Sequence, residues 1–158
     1  MRWKTHRALA VFSYSALMVF SPYLKVDALA AAGVISAYWG ATLPDQIETE
    51  KAHRTYGHSL ASAIIFSGIA YLVGWFVLPL EGFAYGFICG VWSHLLTDAL
   101  TDNGICALWP FYEGRIDPGS LRLWYYSQGK LLEEVITMVA WFISVIIWVK
   151  LFVINFIR

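Results

Sequence analysis

The chain has 158 residues, of which 59% are hydrophobic, 17% aromatic and only 14% charged, at a mean hydropathy of +0.59. A water-soluble domain carries about 25% charged residues, so the composition excludes an ordinary soluble enzyme and points to a polytopic membrane protein. Zero net charge leaves no global field to attract nucleic acid, and the expected partner is the lipid bilayer.

Five charge-free apolar runs follow one another: Ala8 to Leu24, Ala28 to Pro44, Ser59 to Leu80, Gly82 to Thr97 and Val135 to Val149. Each falls near the roughly 20 residues that cross a bilayer core. The expectation is therefore all-α: a polytopic membrane helical bundle of about five transmembrane helices. The spans are placed at about 7–24, 27–44, 57–79, 82–102 and 131–152, in one transmembrane domain covering 1–158. Arg2, Lys4 and Arg7 before an apolar run, with Ala28-Leu29-Ala30 after it, also fit a cleaved signal peptide. Lys25 and Asp27 just before that cut, and the apolar run at once after it, argue for a retained first helix. Cys89 and Cys106 make no disulfide framework and are expected as free thiols.

Alternating the spans puts Arg2, Lys4, Arg7, Lys51, Arg54, Arg115, Arg122 and Lys130 on the side of Met1, against Lys25, Lys150 and Arg158 on the other. Basic residues favour the cytoplasm, so the N-terminus is expected inside and the C-terminus outside. Between the fourth and fifth helices, Ile105 to Tyr112 and Leu121 to Tyr126 are apolar and aromatic, broken by Pro110, Gly114, Pro118 and Gly119. They are expected as an interfacial cytoplasmic segment anchored by Trp109 and Trp124.

Within this topology all four histidines, His6, His53, His58 and His94, lie at the cytoplasmic membrane face, together with Asp45 and Asp98. His94 and Asp98, four residues apart, share one helix face. Ionisable groups there are costly unless they face a protein interior or a cavity. A set of imidazoles and carboxylates suits Zn, with Mn or Fe as alternatives. His53 and His58, five apart, do not share a helical face, whereas Arg54 and His58 would if the third helix began early. Arg54 beside a metal offers a fork for a phosphate or carboxylate; it serves equally well as a headgroup anchor. Asp102 continues the His94–Asp98 face or simply begins a turn. Glu133 and Glu134 suit the start of the last helix or a general base near the site. His94 and Asp98 could also be an interhelical hydrogen-bond pair.

The ordered set Thr5-His6, Leu43-Pro44-Asp45, His53-Arg54-Thr55-Tyr56-Gly57-His58-Ser59, Ser93-His94-Leu95-Leu96-Thr97-Asp98, Gly104 and Trp109-Pro110-Phe111 resembles the YdjM-like family. These are small bacterial inner-membrane proteins described as metal-dependent hydrolases. The resemblance implies metal or catalytic roles at His6, Asp45, His53, His58, His94 and Asp98. The chain departs from the family's pattern twice. Ile47 stands where a second acidic residue is common, with Glu48 following, and Thr55 and Gly57 replace the usual Gly and Thr of the His-Arg segment.

The combined expectation is a multi-pass protein of the bacterial inner membrane, with a metal-dependent hydrolase site on the cytoplasmic face. His58, His94 and Asp98 are the expected ligands, completed or supported by His6, His53 and Asp45. Asp45, His53 and Arg54 are the expected catalytic residues. A divalent transition metal, Zn first, activates water against a lipid or other phosphoester. A metal or proton carrier or sensor, and a scaffold glued by its polar residues, are the competing readings, and a homo-oligomer is compatible with each.

Overall fold

A computed structural model describes residues 2–21, 26–48, 54–77, 81–101, 103–116 and 129–157. They form five long helices and one short one: α1 (Trp3–Phe20), α2 (Ala28–Gly40), the short α3 (Leu43–Ile47), α4 (Leu60–Leu72), α5 (Glu81–Ala99) and α6 (Gly129–Ile157). A π-helical turn, Val73–Val77, prolongs α4. The all-helical expectation holds, with an isolated Ile105–Ile116 bridge as the sole β pairing among the described residues. By length and composition one helix there, over Leu131–Asn155, is able to cross a membrane by itself.

The boundaries differ from the sequence reading: the first helix covers 3–20 where 7–24 was expected, and the helix expected at 82–102 covers 81–99. The second helix stops at Gly40, not 44, and Pro44 opens the separate α3 near its first turn, where a missing N–H costs nothing. The next helix starts at Leu60, behind the Ser59 side chain that caps the Ser62 N–H at 3.1 Å. Arg54 lies ahead of it at φ 65°, a left-handed conformation that no helix propagates, so Arg54 and His58 do not share a helical face. The last helix runs from Gly129 to Ile157, longer than 131–152.

The long helices alternate in direction. Arg7 Nη1 donates to the Tyr38 hydroxyl and Tyr14 to the Ala30 carbonyl, so α1 and α2 are antiparallel. The Thr5–Thr137 and Ser15–Trp148 hydrogen bonds set α6 parallel to α1. Small residues let α2 and α5 touch backbone to backbone. A Cβ on Gly86 would stand 2.0 Å from the Gly33 carbonyl oxygen, and one on Gly90 2.4 Å from that of Ala37. Close approach through small residues is how helices pack where no hydrophobic drive separates protein from solvent.

The outer surface is apolar. Along α6, Met138, Phe142 and Phe152 are exposed, while Thr137, Ala140 and Ser144 are buried at one-turn spacing. A stripe of small residues thus meets the bundle and large ones face outward, the inverse of a helix in water. Glu133 and Glu134 are engaged by α1: Arg2 and Thr5 bond Glu133, and Arg2 and Lys4 pair with Glu134. They tie the start of α6 to that of α1 and are not turned to the histidines. Cys89 and Cys106 are free.

A candidate metal centre

Alternation brings the start of α1, α3, the loop before α4 and the end of α5 to one end of the bundle. There Asp45, His58, His94 and Asp98 present one ligand atom each, all within 4.8 Å of one another. His58 Nε2 lies 3.0 Å from His94 Nε2, 3.3 Å from Asp45 Oδ1 and 3.4 Å from Asp98 Oδ2. His94 Nε2 lies 3.6 Å from each of the same two carboxylate oxygens. A tetrahedral ion with ligands at about 2.0–2.1 Å sets donor atoms roughly 3.3–3.4 Å apart. The measured separations bracket that spacing.

Outer partners fix the imidazole tautomers. His94 Nδ1 donates to the Ala41 carbonyl at 2.6 Å, in the break between α2 and α3. His58 Nδ1 donates to Glu48 Oε2 at 3.0 Å. With both Nδ1 hydrogens spent outward, each neutral ring turns an Nε2 lone pair inward, and the two lone pairs face each other across 3.0 Å. Such a pair repels unless a cation or a proton lies between, and this orientation by a carbonyl or carboxylate is how metal-binding histidines are held.

Glu48 is the residue that sequence reasoning missed. Its side chain is fully buried. Oε1 accepts the Thr55 and Gly57 amides at 2.8 and 2.7 Å, and Oε2 accepts the Arg54 amide beside His58. One carboxylate therefore shapes the whole 54–58 loop and aims its histidine. Gly57 leaves the room: a Cβ there would meet the Pro44 carbonyl oxygen at 2.7 Å and Glu48 Cγ at 2.9 Å. Both departures from the family pattern, the acid at 48 instead of 47 and the glycine at 57, thus meet at one contact.

His6 stacks on His94, ring centroids 3.9 Å apart. Its Nδ1 donates to Thr97 Oγ1 at 2.9 Å, because that hydroxyl spends its own hydrogen on the Ser93 carbonyl. Its Nε2 is buried without a hydrogen-bond partner, 3.2 Å from Asp98 Oδ1 but out of alignment. Arg54, also buried, sends Nη2 to Asp98 Oδ2 at 3.3 Å and Nη1 to Thr101 Oγ1 at 2.6 Å, leaving Nε unpartnered. Its fork is spent on positioning Asp98. His53, Asp102 and Trp124 lie outside the described residues.

Three carboxylates, Asp45, Glu48 and Asp98, face one guanidinium, Arg54, in this cluster. Two negative charges are left for a divalent cation or two imidazole protons to balance. Burial alone would raise the Asp45 carboxyl, but the His58 hydrogen bond and the neighbouring imidazoles hold it below the usual carboxylate range. Burial would lower His58, yet Asp45, Asp98 and Glu48 together raise it to about 9. The metal-free pocket thus holds a proton where an ion would sit.

The model of a family described as YdjM inner membrane protein matches residues 1–157. No curated protein and no solved structure matches the chain.

Proposed function

The chain belongs to the YdjM inner membrane protein family, a protein of the bacterial inner membrane, and from that premise we propose a membrane-embedded metal-dependent hydrolase. The observation that carries the reading is the pair of inward Nε2 atoms 3.0 Å apart, with both Nδ1 hydrogens already donated outward. Two nitrogens, two carboxylate oxygens and tetrahedral spacing favour Zn over the hard cations Mg and Ca, which take oxygen ligands. A bound ion of this kind supplies hydroxide near neutral pH by acidifying its water.

The residues divide the remaining work by burial. The side chains of His58 and His94 are fully buried and that of Asp98 is 2% exposed, whereas that of Asp45 is 11% exposed. His58, His94 and Asp98 form the closed floor. Asp45, at the open edge, faces the place where water and substrate enter and is positioned to take the proton from the attacking water. Arg54 and Thr97 hold the floor by bonding Asp98 and His6. The fold proposed around this centre is a five-span bundle with the N-terminus and the site in the cytoplasm. The helix alternation and the basic residues on the Met1 side support it. The substrate proposed is a phosphoester of the lipid phase.

A second reading takes Asp45 as a fourth ligand. Four protein donors then close the tetrahedron, as in structural sites, and the centre stores, senses or passes on a metal without hydrolysis. The similar distances of Asp45 and Asp98 from the two imidazoles favour it.

Elemental analysis of the detergent-purified protein tests the shared core of both readings. One transition metal per chain, lost in His94→Ala, is the expected result. No stoichiometric metal in the unmodified protein overturns both.

A further inference from the structure

About two to three turns along α5 from the cluster lies an apolar pocket of about 180 Å³, bounded by Leu43 of α3, Phe66, Ala70 and Val73 of α4 and its π turn, and Phe83 and Phe87 of α5. Its lining is entirely apolar, although it starts two residues from Asp45. The pocket and the metal cluster occupy one seam. Phe83, Phe87, His94 and Asp98 follow at steps of four, seven and four, which keeps them on one face of α5. Phe87 and His94 are separated by seven residues, roughly 10 Å along the axis. That distance leaves room for a short polar spacer between an anion at the cluster and an apolar tail in the pocket.

The surroundings say which occupant fits. Ile69, also part of the lining, is 53% exposed on the outer face of α4, so the pocket borders the lipid-facing surface. The polar end of the seam holds the four-residue cluster that suits a cation and one buried donor without a partner, Arg54 Nε. A ligand with an anionic head and one aliphatic tail matches both ends at once. The π turn at the pocket wall, Val73–Val77, is a distortion that recurs at functional sites in helices.

We infer that this pocket receives the acyl chain of a lipid phosphoester substrate and seats its phosphate at the Asp45–His58–His94–Asp98 cluster. The inference rests on the metal-dependent reading and gives the lipid phosphoester proposed there a seat for its chain. A bulk bilayer lipid or a detergent chain in the pocket is the competing occupant.

The test uses the full-length protein in amphipol, loaded with Co²⁺ in place of its native metal, and a series of n-alkyl phosphates from methyl to decyl. The visible Co²⁺ spectrum reports phosphate at the ion. Burying one methylene is worth about 0.8 kcal/mol, a fourfold change in Kd. Affinity is expected to rise about fourfold per carbon until the pocket is full. Ala70→Leu, which fills the pocket, should flatten that slope while inorganic phosphate binds as before. Ile69→Ala, which enlarges it, should move the plateau to longer chains. Ile64→Ala, on the lipid-facing surface away from the lining, should change neither.

The same slope in the unmodified protein, Ala70→Leu and Ile69→Ala would mean that the tails partition into amphipol, and would overturn the inference. So would Co²⁺ binding with no response to any alkyl phosphate. Failure of the protein to bind Co²⁺ at all would instead overturn the metal reading beneath it.

Discussion

Glu48 Oε2 accepts the Nδ1 hydrogen of His58 at 3.0 Å, and both side chains are fully buried. The amides of Arg54, Thr55 and Gly57 and the His58 ring all donate to this carboxylate. Glu48→Gln replaces one acceptor oxygen by an NH2 group, which must face a pair of donors. An unsatisfied buried donor costs about 1–3 kcal/mol, and losing the orienting partner of a metal-bound histidine typically costs 10–100-fold in metal affinity. Titration of the purified variant with Zn²⁺ against a chromogenic chelator is expected to show that loss with helix content unchanged. An affinity equal to that of the unmodified protein would remove Glu48 from the centre.

Gly57→Ala acts on the same contact from the other side. The added methyl would stand 2.7 Å from the Pro44 carbonyl oxygen and 2.9 Å from Glu48 Cγ. Overpacking of this kind costs about 1–3 kcal/mol. The strain falls on the 44–48 stretch that carries both Asp45 and Glu48, so metal affinity and thermal stability should drop together. Melting curves in detergent with and without Zn²⁺ check this. The expected result is a smaller metal-induced rise in Tm than in the unmodified protein.

The helices were legible because apolar runs are a property of local sequence. His94 and Asp98 were legible as a pair because four residues make one helical turn. Glu48 was not, since an acid in a polar loop looks solvated until the loop is seen to fold over it. The signal was faint but present: an acid next to the position where the family usually carries one, paired with a glycine at the usual threonine. The break at Gly40 also hid the Ala41 carbonyl that orients His94, because an apolar run conceals where a helix stops. That the third helix does not begin early enough to put Arg54 and His58 on one face was not legible, because no residue type announces a positive φ at arginine.

The proton on His58 gives the centre a pH dependence with a defined sign. Its neighbours Asp45, Asp98 and Glu48 raise His58 from 6.5 to about 9 in the metal-free protein, with Arg54 and His94 completing the ring of groups around it. A folded-state value above the ordinary one contributes stability that is fully present below pH 6.5 and lost as pH rises through 9. The metal-free protein should therefore melt progressively lower between these limits. Metal binding must displace that proton, so metal affinity should rise by up to about tenfold per pH unit across the same window. Calorimetric titration in two buffers of different ionisation enthalpy counts the proton directly. About one proton released per ion near pH 7.5 is expected. Release of none would place the ion elsewhere.

Asp45→Asn separates the hydrolytic reading from the closed, four-ligand one. If Asp45 takes the proton of an attacking water, the amide keeps the shape of the pocket, leaves His58, His94 and Asp98 to hold the ion, and abolishes the base. Metal content should then stay near one per chain, while hydrolysis of a short-chain lipid phosphoester falls by 10²–10⁴-fold, the usual contribution of a general base. If Asp45 is instead a fourth ligand, the amide weakens the ion itself. Metal content then drops, with no hydrolysis to lose. Metal analysis and a phosphate-release assay on the same preparation read both quantities, and loss of metal with no activity in the unmodified protein would retire the hydrolase. The relative exposure of the carboxylates favours the first outcome: the Asp45 side chain is 11% accessible against 2% for Asp98, and a proton acceptor must be reached by water where a ligand need not be.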